Sequence, residues 1–222
     1  MTVTLVFLAL LMAGFAGWLV SQSVNVRPWV AGPLAAEAVP PERVLRTGRL
    51  GLAVFLAVVT SLFALAISAY LMRMEHGADW RALPEPGLLW VNSACLVLAS
   101  LALQRAWGSA ARGGGRELKR SLAVGGALTV LFVAGQLLAW RQLVDAGYYL
   151  TANPANAFFM FLTALHAAHL IGGLLVWARL LRRARAGTTT PTQLAEGVGL
   201  CALYWHYLLL LWAILFALLL AT

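Results

Sequence analysis

Charge is what this sequence lacks most. Only 11% of its 222 residues are Asp, Glu, Lys or Arg, and just 8 of those are acidic. The eight (Glu37, Glu42, Glu75, Asp79, Glu85, Glu117, Asp145 and Glu196) fall in connecting segments or at the ends of apolar runs. A relay of buried acids therefore has no residues to run through. A di-iron carboxylate centre is excluded too, because it needs inward-facing Glu and Glu-x-x-His pairs. Cysteine is scarce: Cys95 and Cys201 each sit inside an apolar run with no Cys or His at ligand spacing. They read as small buried residues, not as a disulfide or a metal site. The glycine-rich stretch GGGREL (Gly113 to Leu118) lacks the Gly-Lys-Ser/Thr ending of a phosphate loop and follows no strand. That reading falls as well.

What the chain has instead is apolar surface. It is 62% hydrophobic, with a mean hydropathy of +0.83. A soluble domain of this size could not hide that much, so the composition implies a polytopic membrane protein. Six apolar runs follow one another: Val3–Val20, Leu50–Met72, Gly87–Trp107, Leu122–Leu143, Asn156–Leu181 and Gly197–Ala221. Each is near the ~20 residues a helix needs to cross a bilayer. The expected fold is all-α, a membrane bundle of six transmembrane helices. The first run has no Lys or Arg before it, and the sequence after Trp18 is a poor cleavage site, so it is expected to be retained as a helix. The segment 24–49 carries Pro28, Pro33, Pro40 and Pro41 and is not expected to be one regular element. The chain thus divides into residues 1–48, a helix and a Pro-rich basic loop, and residues 49–222, a five-helix bundle.

The net charge of +8 would suggest nucleic acid in a soluble protein. In a membrane protein, basic loops instead meet anionic lipid headgroups on the cytoplasmic face, and no nucleic-acid partner is expected. Of the 16 Lys and Arg residues, 13 lie in or beside the first, third and fifth loops. This asymmetry places the odd loops in the cytoplasm and both ends of the chain outside.

The fifth run, NAFFMFLTALHAAHLIGGLLVWARLL, carries two histidines near its middle, where an ionisable group is costly and usually faces the protein interior. His166 and His169 are three apart and share a helix face with Thr163 and Gly173. Ala164, Ala168 and Gly172 recur four apart and would let another helix approach. His76 lies in a polar loop, so the remaining intramembrane histidine is His206, within Tyr204-Trp205-His206-Tyr207. Two readings stand. In one, Thr163, His166, His169, Tyr204, Trp205, His206 and Gln136 form a structural polar cluster, since polar groups in a bilayer must find partners. In the other, His206 and either His166 or His169 face each other across a haem, making a small membrane cytochrome. Two histidines on one side of a helix suit the cluster at least as well.

The residues that suggest a site also carry a family likeness. FFMFLTALHAAHLIGG (Phe158 to Gly173) resembles the helix of haem–copper oxidase subunit III that bears aromatics, a Leu-Thr-Gly, a His-x-x-His and a Gly pair. Tyr204-Trp205-His206-Tyr207, with Trp212 beyond it, is similar to that family's terminal Tyr-Trp-His-Phe helix. Leu50-Gly51, Phe55-Leu56-Ala57 and Ala69-Tyr70 resemble the helix that opens its five-helix bundle. Leu83-Pro84, Leu88 to Ser93 and Ser100 resemble the next, and Gln136 falls where the family has a glutamine. The likeness runs in order from about Arg49 to Thr222.

The resemblance implies an accessory, non-catalytic subunit of a bacterial aerobic terminal oxidase in the cytoplasmic (inner) membrane, with no active site of its own. It implies packing against the catalytic subunit I and other oxidase subunits, stabilisation of that assembly, and binding of phospholipid. Haem and copper would belong to the partner subunits, with no cofactor or metal bound directly by this chain. The same family supplies an accessory subunit to nitric oxide reductases, which is the alternative. Three positions depart from the pattern: Val59, Ala139 and Leu209 stand where the family places acidic residues. A direct proton role has no support from them. The family's longer members also have two helices before the bundle, where this sequence has one.

Overall fold

The computed structural model describes residues 41–77, 80, 87–149, 153–187 and 189–221, with side chains from residue 48 onward. Every described element is an α-helix: α1 (Pro41–His76), α2 (Leu88–Ala111), α3 (Gly115–Asp145), α4 (Pro154–Ala186) and α5 (Pro191–Leu220). All five contain stretches long and apolar enough to cross a membrane. The expected all-α membrane architecture is therefore present over the described residues. The run Val3–Val20, read above as a further helix, lies outside the described residues. α1 starts at Pro41, ahead of the apolar run at Leu50, and so passes through the division drawn at residue 48. A proline at the first helical position costs no hydrogen bond, which is why the helix can begin there.

The chain falls into two compact units, one ending at Ser68 and one running from Ala69 to Thr222. In the second, α2–α5 pack as a ring: α2 against α3, α3 against α4, α4 against α5, and α5 back against α2. The last turns of α1 belong to this unit, where the Tyr70 ring meets Trp80 edge-on at 4.9 Å and Phe158 at 5.7 Å.

The ring is set by its turns and its small residues. α2 and α3 are joined by Arg112-Gly113-Gly114, with Gly113 at φ 73°, a conformation that favours glycine. Ser109 closes this turn, its hydroxyl donating to the Gly114 carbonyl at 3.0 Å. So short a connection forces two antiparallel neighbours. Their faces then approach closely because Gly125 and Gly135 lack side chains. A Cβ at Gly125 would sit 2.9 Å from the Leu103 side chain, and one at Gly135 only 2.0 Å from Asn92 Oδ1. α4 begins at Pro154, with the Asn153 side chain accepting from the Ala155 N–H, and stops at Gly187, φ 66°. Thr190 caps α5 in the same way, ahead of Pro191.

The face that α4 turns inward differs from one expectation. Ala164, Ala168 and Gly172 are exposed, while Thr163, His166, Leu170 and Gly173 are buried. The close approach is made at Gly173 instead, where an added Cβ would meet the Tyr204 ring at 2.7 Å and Trp205 at 3.1 Å. Large rings on α5 need the missing side chain at that level, and the polar residues of α4 need the shelter. Leucines and rings fill the core: Leu89, Leu96, Leu103, Leu122, Phe132, Leu170, Trp205 and Leu208 are all fully buried. Outward, α3 and α4 present Val130, Leu131, Leu137, Phe161, Ile171, Leu175 and Val176. In water such a face would be a liability. Against lipid chains it carries no penalty, and all helical backbone bonds remain satisfied internally.

Candidate functional site

The interior of α2–α5 is crossed by indole N–H groups, each of which must find an acceptor away from water. Trp205 Nε1 donates to Thr129 Oγ1 at 2.8 Å, and the Thr129 hydroxyl donates back to the Gly125 carbonyl at 2.8 Å. Trp212 Nε1 donates to Ser93 Oγ at 2.8 Å, while Ser93 donates to the Leu89 carbonyl at 2.8 Å. Trp140 Nε1 donates to Thr163 Oγ1 at 3.0 Å, with Thr163 bonded to the Phe159 carbonyl at 2.7 Å. The same device thus recurs three times: an indole on one helix, a hydroxyl on another, and the carbonyl one turn before that hydroxyl. Trp177 omits the hydroxyl and donates directly to the Leu122 carbonyl at 2.9 Å. Its ring rests on Gly126, where a Cβ would lie 2.0 Å from Cζ2. Two of these bonds start from α5: Trp212 reaches the neighbouring α2, and Trp205 crosses the ring to α3.

The seven residues singled out in the sequence enter this framework at different points. Thr163 receives Trp140 and Trp205 donates to Thr129, as above. Tyr204 donates its hydroxyl to the His169 carbonyl at 2.9 Å, and His169 Nδ1 donates to the Leu165 carbonyl at 2.7 Å. Tyr204 and His169 are therefore brought together, through the backbone. His206 turns toward α2: Nδ1 meets the Ser100 hydroxyl, and Nε2 meets Gln104 Oε1 at 2.9 Å. With Nε2–H donating to the Gln104 carbonyl oxygen, Nδ1 is left to accept from Ser100, so the two partners select one tautomer. His166 and Gln136 are buried at 0% and 1% exposure, and neither side chain has a hydrogen-bond partner among the described residues. The His166 ring instead lies 5.8 Å from Phe132 and 5.4 Å from Trp212, centroid to centroid.

Sequence reasoning missed Thr129, Trp140, Trp177 and Gln104 as partners. The signal was weak, since each hydroxyl or amide alone looks able to satisfy itself on its own helix. A tryptophan in one apolar run and a Ser or Thr in the next, at matching depth, is the pattern that would have paired them.

Two features face outward. Gln104 is exposed on α2 beside the half-buried His206 of α5, so a polar pair opens onto the lipid-facing surface between these helices. Between α3 and α4, a groove of about 950 Å³ is lined by apolar residues including Leu137, Met160 and Phe161. Trp140, Arg141 and Asp145 also line it, near the C-terminal end of α3.

No protein-family model matches the chain. Curated proteins do. A probable cytochrome c oxidase subunit 3 of Mycobacterium tuberculosis is 30% identical over 158 residues, covering 70% of this chain and 76% of its own. One from Nocardia farcinica is 29% identical over 153 residues, 67% of this chain and 74% of its own. The cytochrome c oxidase subunit 3 of Synechocystis is 28% identical over 172 residues, 76% of this chain and 72% of its own. With most of each relative covered and five apolar helices described, the multi-pass chain belongs to the cytochrome c oxidase subunit 3 family.

Proposed function

We propose that this chain is the accessory, non-catalytic subunit III of a bacterial aerobic terminal oxidase, held in the cytoplasmic membrane with its odd loops toward the cytoplasm. Its role is to bind the catalytic subunit and stabilise the assembly, while haem and copper reside in partner subunits. One observation supports it beyond the family relationship: the exposed Gln104 amide beside His206 on the α2–α5 face. Polar side chains at membrane depth ordinarily face protein or a cavity. The Ser100 and Gln104 contacts occupy the His206 ring from within the chain, and the exposed amide NH2 of Gln104 is left for a neighbouring subunit. Around it Val97, Leu101, Leu203 and Leu210 are exposed and apolar, which suits a second membrane helix.

Phospholipid binding belongs to the same proposal. The groove between α3 and α4, at about 950 Å³, falls within the range of small-molecule sites, about 300–1,000 Å³, and its apolar walls suit a lipid chain. Its Arg141 and Asp145 lie near the helix end, where a headgroup would be.

The test is to replace Gln104 by Leu and His206 by Phe together, and to measure how much catalytic subunit co-purifies with the chain in mild detergent. An interhelical bond in a membrane contributes about 0.6–1.7 kcal/mol, so association should weaken about 3- to 20-fold, with the partner's haem spectrum unchanged. Unaltered association would remove this face from the interface.

A further inference from the structure

The indoles of the bundle core are all provided for, yet the polar groups beside Trp212 are not. Asn92 on α2, Gln136 on α3 and His166 on α4 are exposed by no more than 2%. Asn92 Nδ2, both polar atoms of the Gln136 amide and both ring nitrogens of His166 lack any partner among the described residues. A buried polar group left bare loses its hydration with nothing in return, and no bulk water reaches a bilayer core to relieve it.

The three belong to one layer. Asn92 Oδ1 fits against Gly135, where a Cβ would be 2.0 Å away, and Gln136 is the next residue. Phe132, one turn before Gln136, has its ring 5.8 Å from His166 and 4.9 Å from Trp212. Trp212 lies 5.4 Å from His166 and donates to Ser93, the neighbour of Asn92. Trp212 thus meets His166 directly and reaches α2 through Ser93, next to Asn92, and α3 through Phe132, one turn before Gln136.

The chemistry of these groups selects the ligand. Asn92 and Gln136 supply N–H donors, the Gln136 carbonyl accepts, and a neutral imidazole has one donor and one acceptor. The set carries no carboxylate, and among the described residues no group of three His, Cys, Asp or Glu lies together to hold a metal ion. An apolar molecule would leave all five atoms unpaired. We infer that Asn92, Gln136 and His166 form a buried water-binding site that links α2, α3 and α4 around Trp212. Water both donates and accepts, and a buried water typically makes about three such bonds. By the same reasoning the nearby void of about 20 Å³ bordered by Phe159, Leu162, Leu215 and Phe216 stays dry, because its walls are almost wholly apolar.

Water-edited solid-state NMR on the oxidase complex in membranes tests the site, with the chain carrying 15N-histidine. His166→Phe assigns the His166 ring signals by their loss. In the unmodified complex these signals should gain water polarisation at a rate within a few-fold of His76. Gln136→Leu should slow that transfer several-fold, and Asn92→Leu serves if the first variant does not assemble. A His166 ring that gains no water polarisation over the interval in which His76 does would overturn the proposal. A direct Gln136–His166 hydrogen bond, seen as a through-bond coupling between amide and imidazole, would overturn it equally.

Discussion

Thr129 shows how much hangs on single hydroxyls. It accepts from Trp205 and donates along its own helix, so one side chain meets both the demand of an indole from α5 and its own. Replacing Thr129 by Val keeps the shape and removes the acceptor, leaving a fully buried N–H without a partner. Thr129→Ser keeps the oxygen and loses a methyl. The first change should destabilise the bundle by about 1–3 kcal/mol, and more than the second. Unfolding of the purified chain in mixed detergent reads the difference, and equal losses would mean that packing, not the hydrogen bond, matters at this position. Legibility at this scale was partial. That Trp205, Thr163 and Tyr204 would need hydrogen-bond partners could be read from type and depth. Their partners could not, because a Ser or Thr in a helix can bond its own carbonyl one turn back and so advertises no need. Gln104 lies inside the Gly87–Trp107 run, and nothing in its neighbourhood marks His206 as its partner.

Helices were easier to read than contacts. The apolar runs at Leu50, Gly87, Leu122, Asn156 and Gly197 each lie within or overlap a described helix, and the structure extends most of them by a turn or more at the ends. Hydropathy marks the part of a helix inside lipid, whereas capping residues such as Asn153 and Thr190 set where the helix starts. Choosing the buried face of α4 was harder. Small residues lie on two of its faces, and the stripe with three of them is the exposed one. Occupancy by rings decides the matter: Gly173 has Tyr204 and Trp205 against it, and Gly126 of α3 likewise receives Trp177. Gly126→Ala would place a methyl inside the Trp177 ring, so the ring must move and its bond to Leu122 stretch or break. Overpacking of this kind costs about 1–3 kcal/mol. Ala at Gly172, which has nothing within 4 Å, should be neutral within ~0.5 kcal/mol. A thermal-shift comparison of the two variants checks the assignment of inner and outer faces.

For the whole molecule, orientation is the property that the composition carries most plainly. Thirteen of 16 basic residues in or beside the first, third and fifth loops is a bias of the kind that fixes topology during insertion. Cysteines introduced at Gly113, in the α2–α3 turn, and at Gly147, between α3 and α4, should react with an impermeant thiol reagent from opposite sides. Gly147 is expected to label in intact spheroplasts and Gly113 only after lysis; the reverse pattern would invert the proposed topology. The family was legible for a different reason. The His-x-x-His and Tyr-Trp-His segments put uncommon residues in a lipid setting, where chance rarely leaves them. Which polar groups lack partners inside the chain was not legible, since that depends on four helices meeting at one level.

The ring order has a bearing on how the chain is made. α5 follows α2, α3 and α4 in sequence, yet it supplies Trp205 and Trp212, whose indoles reach α3 and α2, and the rings that cover Gly173 and His166. Until it inserts, Thr129, Ser93, Asn92, Gln136 and His166 belong to a three-sided trough open to lipid. α5 is thus the keystone of the bundle: only with it in place are these polar groups roofed by the Trp205 and Trp212 rings.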